Sequence, residues 1–380
     1  MKCDFCQSNK LTDVYTVPTT ERGMIIVVCE VCGLVQSFET KKKNTGKRLV
    51  RTSSDADWGN VRHGKGIRLP KAIEILAPLF VKDDRKEVLD IGSNRGDFVL
   101  WISETYPKTI IHAIEPDKHV VDAYNKNKKI SLQIDRFENI TLPKETFDII
   151  YCSHTLEHAA SASAMIRSVH QALRKDGYFF LEIPNIEIIG QSDIVEEFFI
   201  DKHTFHFNRE LLIDFVKQVG FSVVSGEKDT DVSNITLLLQ KKGDQKNFVA
   251  KDKKLALKNK KLIKTYKTLL SENKKKLKEV SDKLYSFMDR QKVVLWGGGR
   301  IFDALIKYGE LKTDKIMLLV DDYLSKYVSE VHGVKLHTSQ SLRLANPDVV
   351  IILAKNATEE IYQKVKKFGI RHVVRFSDLL

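Results

Sequence analysis

The sequence predicts an α/β protein built on two open, mostly parallel sheets, with a small cysteine-rich module in front of them. Three observations predict it. Residues 87–117, EVLDIGSNRGDFVLWISETYPKTIIHAIEPD, read as strand, glycine turn, amphipathic helix, strand and acid. From Lys292 the chain repeats that order, in KVVLWGGGRIFDALIKYG and then KIMLLVDDYLSKY. Ahead of both, Cys3 and Cys6 form one CxxC, and Cys29 and Cys32 form another, followed by Gly33.

At 380 residues the chain has length for two or three domains, each with its own core. No apolar run reaches the ~18 residues of a membrane span, and the first residues, MKCDFC, lack the apolar stretch of a secretory signal. A cytoplasmic protein with no membrane partner is therefore expected. The net charge of +12 is concentrated: Lys241 to Lys283 holds 16 Lys against 5 acids. Such a run reads as a solvated helix or linker rather than a nucleic-acid face, so nucleic acid is disfavoured as a partner.

In chain order, residues 1–40 come first. Two knuckles of paired cysteines suit tetrahedral zinc, with the strand-like Gly23 to Val28 between them as in a zinc ribbon. Disulfides are disfavoured in a reducing compartment. Four protein ligands (Cys3, Cys6, Cys29 and Cys32) leave no open position, which makes the expected zinc structural. Residues 41–68 are a polar, basic connector. Its Trp58, Arg62, His63, Lys65 and Arg68 gather aromatic and cationic groups, which suit either a solvated link or an anionic or sugar ligand. Pro70 to Phe80 reads as a helix.

The region 69–240 carries the first sheet. Open parallel sheets bind ligands beyond the C-terminal ends of their strands, and two points there carry function. Gly92 and Gly96 permit a tight turn and close backbone approach, and Asn94 tolerates a left-handed conformation. Glu115, 25 residues beyond Asp90, offers a carboxylate to both hydroxyls of a ribose.

The pattern hydrophobic-Asp-x-Gly-x-x-x-Gly, then apolar-Glu-Pro-Asp, resembles motifs I and II of class I S-adenosylmethionine-dependent methyltransferases. FDIIYCSHTLEH, residues 147–158, resembles the fourth strand of that family and its loop. LRKDGYFFLEIPN, residues 173–185, resembles the helix end, a turn at Asp176-Gly177 and the fifth strand. The resemblance implies a class I methyltransferase (Rossmann-like) core that binds S-adenosylmethionine through Asp90, Gly92, Ser93, Asn94, Gly96, Glu115 and Pro116. It sets Ser153 and His154 beside the methionine half. Arg136 and Phe137, in the loop after a third strand from Ser131, are positioned to cover the adenine; alternatively Asp135 accepts from its exocyclic amine. Glu157 and His158 begin a helix, in a structural role.

After Asn185 an insertion, residues 187–208, leads to the helix ELLIDFVKQVGF, closed by Gly220. Here the chain resembles the three-part methyltransferases of nucleotide-linked deoxysugars, the sugar C-methyltransferase group. Their corresponding loop carries a Tyr-x-Glu-His pattern whose general base removes a proton beside a keto group. His203 matches the histidine, while Ile200 and Lys202 replace Tyr and Glu, so carbon, oxygen and nitrogen acceptors all stay open. A near-neutral histidine suits proton removal; His206 and His154 are the further catalytic candidates.

Residues 241–290 place Leu255, Leu257, Leu262, Ile263, Tyr266, Leu269 and Leu270, then Leu277, Val280, Leu284 and Phe287, at helical spacing. One or two long helices are expected, bracing the domains or pairing subunits in a homo-oligomer. Residues 291–380 form the second, Rossmann-like α/β domain. Phe302 stands in place of the third glycine after Gly297-Gly298-Gly299, which argues against a bound dinucleotide. The run, with Asp321 and Lys326, resembles the C-terminal domain of the sugar group, which helps hold the nucleotide-sugar; Lys355 replaces a Trp common there. The expectation is methyl transfer to a small, nucleotide-linked sugar, with S-adenosylmethionine as cofactor and no metal in the chemistry. The alternatives are O- or N-methylation of a polysaccharide or secondary-metabolite precursor, a nucleic-acid methyltransferase, and a noncatalytic scaffold.

Overall fold

The computed structural model describes residues 1–18, 23–39, 65–81, 83–124, 129–200, 202–228, 232–249, 254–326, 328–355 and 357–380. Trp58, Arg62 and His63 lie outside the described residues, as do the side chains of Lys65 and Arg68. The chain divides into two compact units. One holds the N-terminal residues with Ile67–Gly190 and Phe199–Lys264; the other holds Gln191–Phe198 and Thr265–Leu380.

The strands of the first unit are β1 (Leu11–Thr16), β2 (Met24–Cys29), β3 (Val35–Glu39), β4 (Glu87–Ile91), β5 (Ile110–Ile114), β6 (Ile130–Gln133), β7 (Phe147–Ser153), β8 (Leu173–Pro184), β9 (Phe205–His206), β10 (Phe221–Ser225) and β11 (Asn234–Lys241). Seven of them make one sheet in the order β10-β11-β8-β7-β4-β5-β6. β4 to β8 run parallel, and β11 enters antiparallel beside β8. β4 therefore sits at the centre of the parallel set, where the strand order reverses, the position at which open α/β sheets bind ligands.

Alternation along each strand divides the core between the two faces. Leu89, Ile91, Ile150, Cys152, Phe179 and Leu181 pack on one face with the helices Ala162–Ala172 and Arg209–Gln218. Val88, Ile111, Ile149, Tyr151 and Phe180 pack on the other, against Phe98 and Ile102 of the helix Asp97–Thr105. There Phe98, Tyr151 and Phe180 stack in series, with centroids 4.0 and 5.0 Å apart. The helix expected from Pro70 begins earlier, at Lys65, and runs to Leu76. Asp176-Gly177, expected as a turn, form a bulge inside β8: Phe147 pairs Leu173, yet Ile149 pairs Tyr178. Glu157 and His158 do not open an α-helix; Leu156–His158 is a single 3-10 turn. The α-helix starts at Ala162 because Ser161 caps it, its Oγ accepting from Ala164 N at 3.1 Å.

The N-terminal ribbon is built into the same core. Its sheet has the order β1-β2-β3-β9, so its last strand comes from beyond the middle of the chain. Val35 pairs His206 and Gln36 pairs Phe205. Phe5 stacks on Phe215 at 3.8 Å, and Asp4 accepts from Ser161 Oγ and Ser163 N at 2.6 and 2.7 Å.

The lysine-rich region forms one helix, Lys254–Met288. Leu255, Ile263, Tyr266, Leu270, Leu277, Val280 and Leu284 are buried as their spacing predicts. Leu257 departs from that stripe and is 67 % exposed. Within the first unit Asn259 is fully buried and donates from Nδ2 to Gly33 O at 2.8 Å and to Asn208 Oδ1 at 2.7 Å.

The second unit carries a six-stranded sheet: β12 (Val293–Trp296), β13 (Leu318–Val320), β14 (Glu330–Val331), β15 (Val334–His337), β16 (Val349–Ile352) and β17 (His372–Arg375), in the order β14-β15-β13-β12-β16-β17. All but the β14–β15 pairing are parallel. Residues Gln191–Phe198, read from sequence as part of an insertion in the first sheet domain, group with this unit. Asn273 Nδ2 donates to Ser192 O and Ile194 O at 2.7 and 2.9 Å, and Tyr266 Oη accepts from Phe198 N at 2.9 Å.

Candidate active site

The glycine turn after β4 is drawn around two buried acids. Gly92 and Ser93 donate their N–H groups to Ile114 O at 2.8 and 3.0 Å, which ties the turn to the end of β5. Asn94 takes the left-handed conformation expected of it, φ +50°. Glu115 receives Asn94 N on Oε2 at 2.8 Å and Asp117 N on Oε1 at 3.0 Å, which fixes the carboxylate at the end of β5. Pro116 beside it is exposed.

Asp90 is 2 % exposed. Ser93 Oγ donates to its Oδ2 at 2.6 Å, while Oδ1 is buried with no hydrogen-bond partner among the described residues. Burial pushes the Asp90 carboxyl up to about 7, against the Ser93 hydrogen bond. A buried acceptor with nothing to accept marks a place for a donor the chain does not supply.

The close approach expected at the two glycines is made to the protein's own side chains. A Cβ on Gly92 would lie 2.0 Å from Thr155 Oγ1, and one on Gly96 would lie 2.9 Å from the Tyr124 ring. Tyr124 was not singled out in the sequence. Its hydroxyl donates to Asn94 O at 2.6 Å and lies 2.9 Å from Ser93 Oγ, bracing the turn from a short helix that carries no motif. Gly92→Ala, at φ +76° and against Thr155, should lower stability by about 2 kcal/mol or more. Adding Thr155→Ala should remove the two closest contacts and leave the one to Cβ at 2.9 Å together with the backbone strain, so the double variant melts between wild type and Gly92→Ala. Equal melting of the two Gly92 variants would show that Thr155 is not the obstruction.

At the neighbouring strand ends, Asp135 Oδ1 accepts from Arg136 N at 2.7 Å and from Asn139 Nδ2 at 2.6 Å. Phe137 is half-buried and packs on the core of the unit. Ser153 Oγ donates to Glu182 Oε1 at 3.1 Å.

Beyond β7 four histidines gather around one acid. Glu157 is 2 % exposed, and its Oε1 lies 3.5 Å from His154 Nδ1 and 3.8 Å from His158 Nε2. Burial alone would raise Glu157, but the His154 hydrogen bond and the charges of His158 and His154 hold it below the usual carboxylate range. His154, at φ +50°, is wedged between Glu157 and Glu182, its Nε2 3.6 Å from Glu182 Oε1. The rings of His158 and His203 meet edge to face at 4.8 Å, and His206 is 6.4 Å from His203. Burial, reinforced by His158, holds His203 well below the usual imidazole range, so it is neutral near pH 7. His206 is 3 % exposed, pairs its Nε2 with Ser37 Oγ at 2.8 Å, and is pushed by burial down to about 3. The sequence pointed to His203, His206 and His154 separately; the structure adds Glu157 and His158 as the groups that bring them together.

The four N-terminal cysteines converge as their spacing predicts. Cys3 and Cys32 sulfurs are 3.4 Å apart, Cys6 and Cys29 sulfurs 3.5 Å, and all four lie within 4.8 Å of one another. None is in a disulfide. The set can hold a tetrahedral metal ion.

In the second unit, Gly298 N donates to Asp321 Oδ2 at 3.0 Å, and Asp321 Oδ1 accepts from Tyr323 N and Leu324 N at 3.1 and 2.8 Å. Leu336 fills the space a Cβ on Gly298 would need, and Phe302 is fully buried in the core. Lys355 pairs with Asp193 at 2.9 Å.

Residues 65–226 match the family described as Methyltransferase domain, and residues 239–375 match the C-methyltransferase C-terminal domain. The chain thus carries a methyltransferase domain followed by a C-methyltransferase C-terminal domain. The chain is 29% identical over 117 residues to a tRNA U34 carboxymethyltransferase of Campylobacter lari, covering 30% of this chain and 40% of that protein. It is 27% identical over 126 residues to the uncharacterized methyltransferase YcgJ of Bacillus subtilis, covering 32% and 47%. The chain thus spans 40–47% of the length of the curated relatives it matches. Among solved structures, an S-adenosylmethionine-dependent methyltransferase from Clostridium acetobutylicum aligns at TM-score 0.38 and 14% identity, over 50% of this chain and 94% of that one. One from Mesorhizobium loti aligns at 0.37 and 14%, over 44% and 96%. Among the described residues no helix is long and apolar enough to cross a membrane.

Proposed function

We propose that this chain is an S-adenosylmethionine-dependent methyltransferase acting on a small activated sugar, carried on a nucleotide, with His203 as the base that takes the acceptor's proton. The observation that carries this reading is His203 held within 4.8 Å of the buried Glu157 carboxylate at the sheet edge that holds the Asp90 turn. A match of residues 239–375 to a C-methyltransferase C-terminal domain supports a carbon acceptor in a chain of this architecture.

In this reading Glu115 binds the ribose hydroxyls, and Asp90 Oδ1 accepts from the ammonium of the methionine half. Ser93, Asn94, Ser153, Arg136 and Phe137 line the remainder of the cofactor site. S-adenosylmethionine bound there supplies a methyl group activated by its sulfonium. The chain's own work is to hold the acceptor in line, which supplies much of the rate, and to remove its proton at His203. His154, pinned between two acids, orients Glu157; His206 holds the loop to the ribbon through Ser37. The Cys3, Cys6, Cys29 and Cys32 set would hold a structural zinc.

Mass spectrometry of reactions with a panel of nucleotide-sugars, 4-keto forms included, tests the acceptor. A product heavier by one methylene supports the reading, and fragmentation separates C- from O- and N-methylation. No product with cofactor binding intact would overturn it. A second reading has its own observation: curated relatives are named tRNA U34 carboxymethyltransferases, and the helix Lys254–Met288 exposes Lys258, Lys261, Lys264 and Lys267. RNA binding that falls steeply with salt, together with modified nucleosides in the digest, would favour it.

Asp90 gives the cofactor site a pH signature. Its folded-state pKa of about 7 lies above the ordinary 3.8, so the free protein binds this proton more tightly folded than unfolded. That contribution to stability is full below about pH 4 and is lost as pH rises toward 7. A cationic group on Oδ1 favours the carboxylate, so cofactor binding releases the proton and tightens between pH 6 and 7.5. Calorimetry in buffers of different ionisation enthalpy should read that release in wild type and not in Asp90→Asn. The same release in both would remove Asp90 from the cofactor site.

A further inference from the structure

We propose that Glu157, His158 and His203 form a binding site for a divalent first-row transition-metal ion, separate from the four cysteines, on the acceptor side of the sheet edge. The three residues offer one carboxylate oxygen and two imidazole nitrogens, all within 4.8 Å of one another. Metal–ligand bonds of about 2.1 Å place ligands up to about 4.2 Å apart, so small side-chain rotations close the set.

Two features orient it. His158 Nδ1 lies 2.8 Å from Lys202 O, and a carbonyl only accepts, so Nδ1 carries a hydrogen and Nε2, 3.8 Å from Glu157 Oε1, is the nitrogen that an ion would take in place of a proton. This is the backbone bond that fixes the tautomer and ring plane of metal-ligating histidines. Glu157 Oε2 is buried and has no hydrogen-bond partner among the described residues. A buried carboxylate oxygen with no donor is poorly explained by packing and well explained by a cation. Thr204 N donates to Glu157 O at 2.8 Å, fastening the loop of His203 to the turn of Glu157, so the ligands come from two segments held together.

Two imidazoles and one carboxylate select Zn²⁺, Co²⁺, Ni²⁺, Fe²⁺ or Mn²⁺ over Mg²⁺ and Ca²⁺, which prefer all-oxygen shells. Three protein ligands also leave positions open, unlike the four thiolates. An ion there occupies the lone pair with which His203 would accept a proton. Resting on His203 as the base, this makes methyl transfer sensitive to the ion.

Co²⁺ titration of the whole chain is the test. The four thiolates should take the first equivalent, with a thiolate-to-cobalt charge-transfer band. A second equivalent should add only the weak ligand-field bands of nitrogen and oxygen ligands. His158→Gln and Glu157→Gln should each lose the second equivalent and keep the first, whose retention with an unchanged circular dichroism spectrum certifies folding. A wild-type chain that saturates after the thiolate equivalent, or a second equivalent that survives in both variants, overturns the site. The spectra need no acceptor, so they stand whether or not a methylated sugar is found. A second equivalent that leaves the transfer rate unchanged would keep the site and remove His203 as base.

Discussion

His203→Ala should lower methyl transfer by roughly 10²–10⁴-fold, the range a positioned general base supplies, while cofactor affinity stays at the wild-type value. The two effects separate because His203 sits with Glu157 and His158, whereas the cofactor turn is held by Asp90, Glu115 and Tyr124. Of the neighbouring histidines, two cannot take over. His206 is fully enclosed and bonded to Ser37, and His154 is fixed between Glu157 and Glu182. His206→Ala is the matching control: it should lower the melting temperature through the lost Ser37 bond and the cavity, with little change in rate per folded molecule. Single-turnover rates with saturating cofactor read both. A rate loss in His206→Ala equal to that in His203→Ala would move the proton acceptor to His206.

Cys29→Ser should have the largest effect on folding. A structural zinc site contributes on the order of 10–16 kcal/mol, as much as or more than the whole stability of a typical domain at ~5–15 kcal/mol. Cys29 is fully buried at the end of β2, and its set lies in the same core as Phe205, Phe207, Leu211 and Phe215. Loss of the ribbon should therefore remove the pairing of Val35 and Gln36 with His206 and Phe205, taking the histidine loop with it. Elemental analysis should find tightly held zinc in wild type and not in Cys29→Ser, and the variant should melt at least ~10 °C lower, if it folds. A variant with wild-type melting would show that the ribbon stands on its apolar contacts alone.

The parts of the fold set by short-range chemistry were readable in the residues. Gly92, Asn94 and Gly96 declare their backbone conformations, and Glu115 declares the end of β5. The cysteine pairs declare each other through spacing. What could not be read depends on contacts between distant segments. Nothing near Ser37 announces His206, and nothing near Tyr124 announces that it fills the space above Gly96. Glu157 and His158 read as structural because their neighbours in sequence are; their partners, Lys202 and His203, lie more than forty residues away. Gln191–Phe198 carried no composition signal for the unit it joins, because Asn273 and Tyr266, which hold it there, are polar groups buried on a lysine-rich helix.

The ribbon sheet, completed by β9, sets a timetable for the chain as it leaves the ribosome. Residues 1–39 emerge well before β9, and until then the outer edge of β3 is bare. That edge stays open until Phe205 and His206 arrive, and Gly33 O waits longer still for Asn259. At about 5–20 residues per second the delay is on the order of ten seconds or more. An uncovered strand edge over such an interval is a template for pairing with other nascent chains. Low yield caused by misassembly during translation, rather than weak final stability, is the expected signature of substitutions at Val35, Gln36 or Phe205.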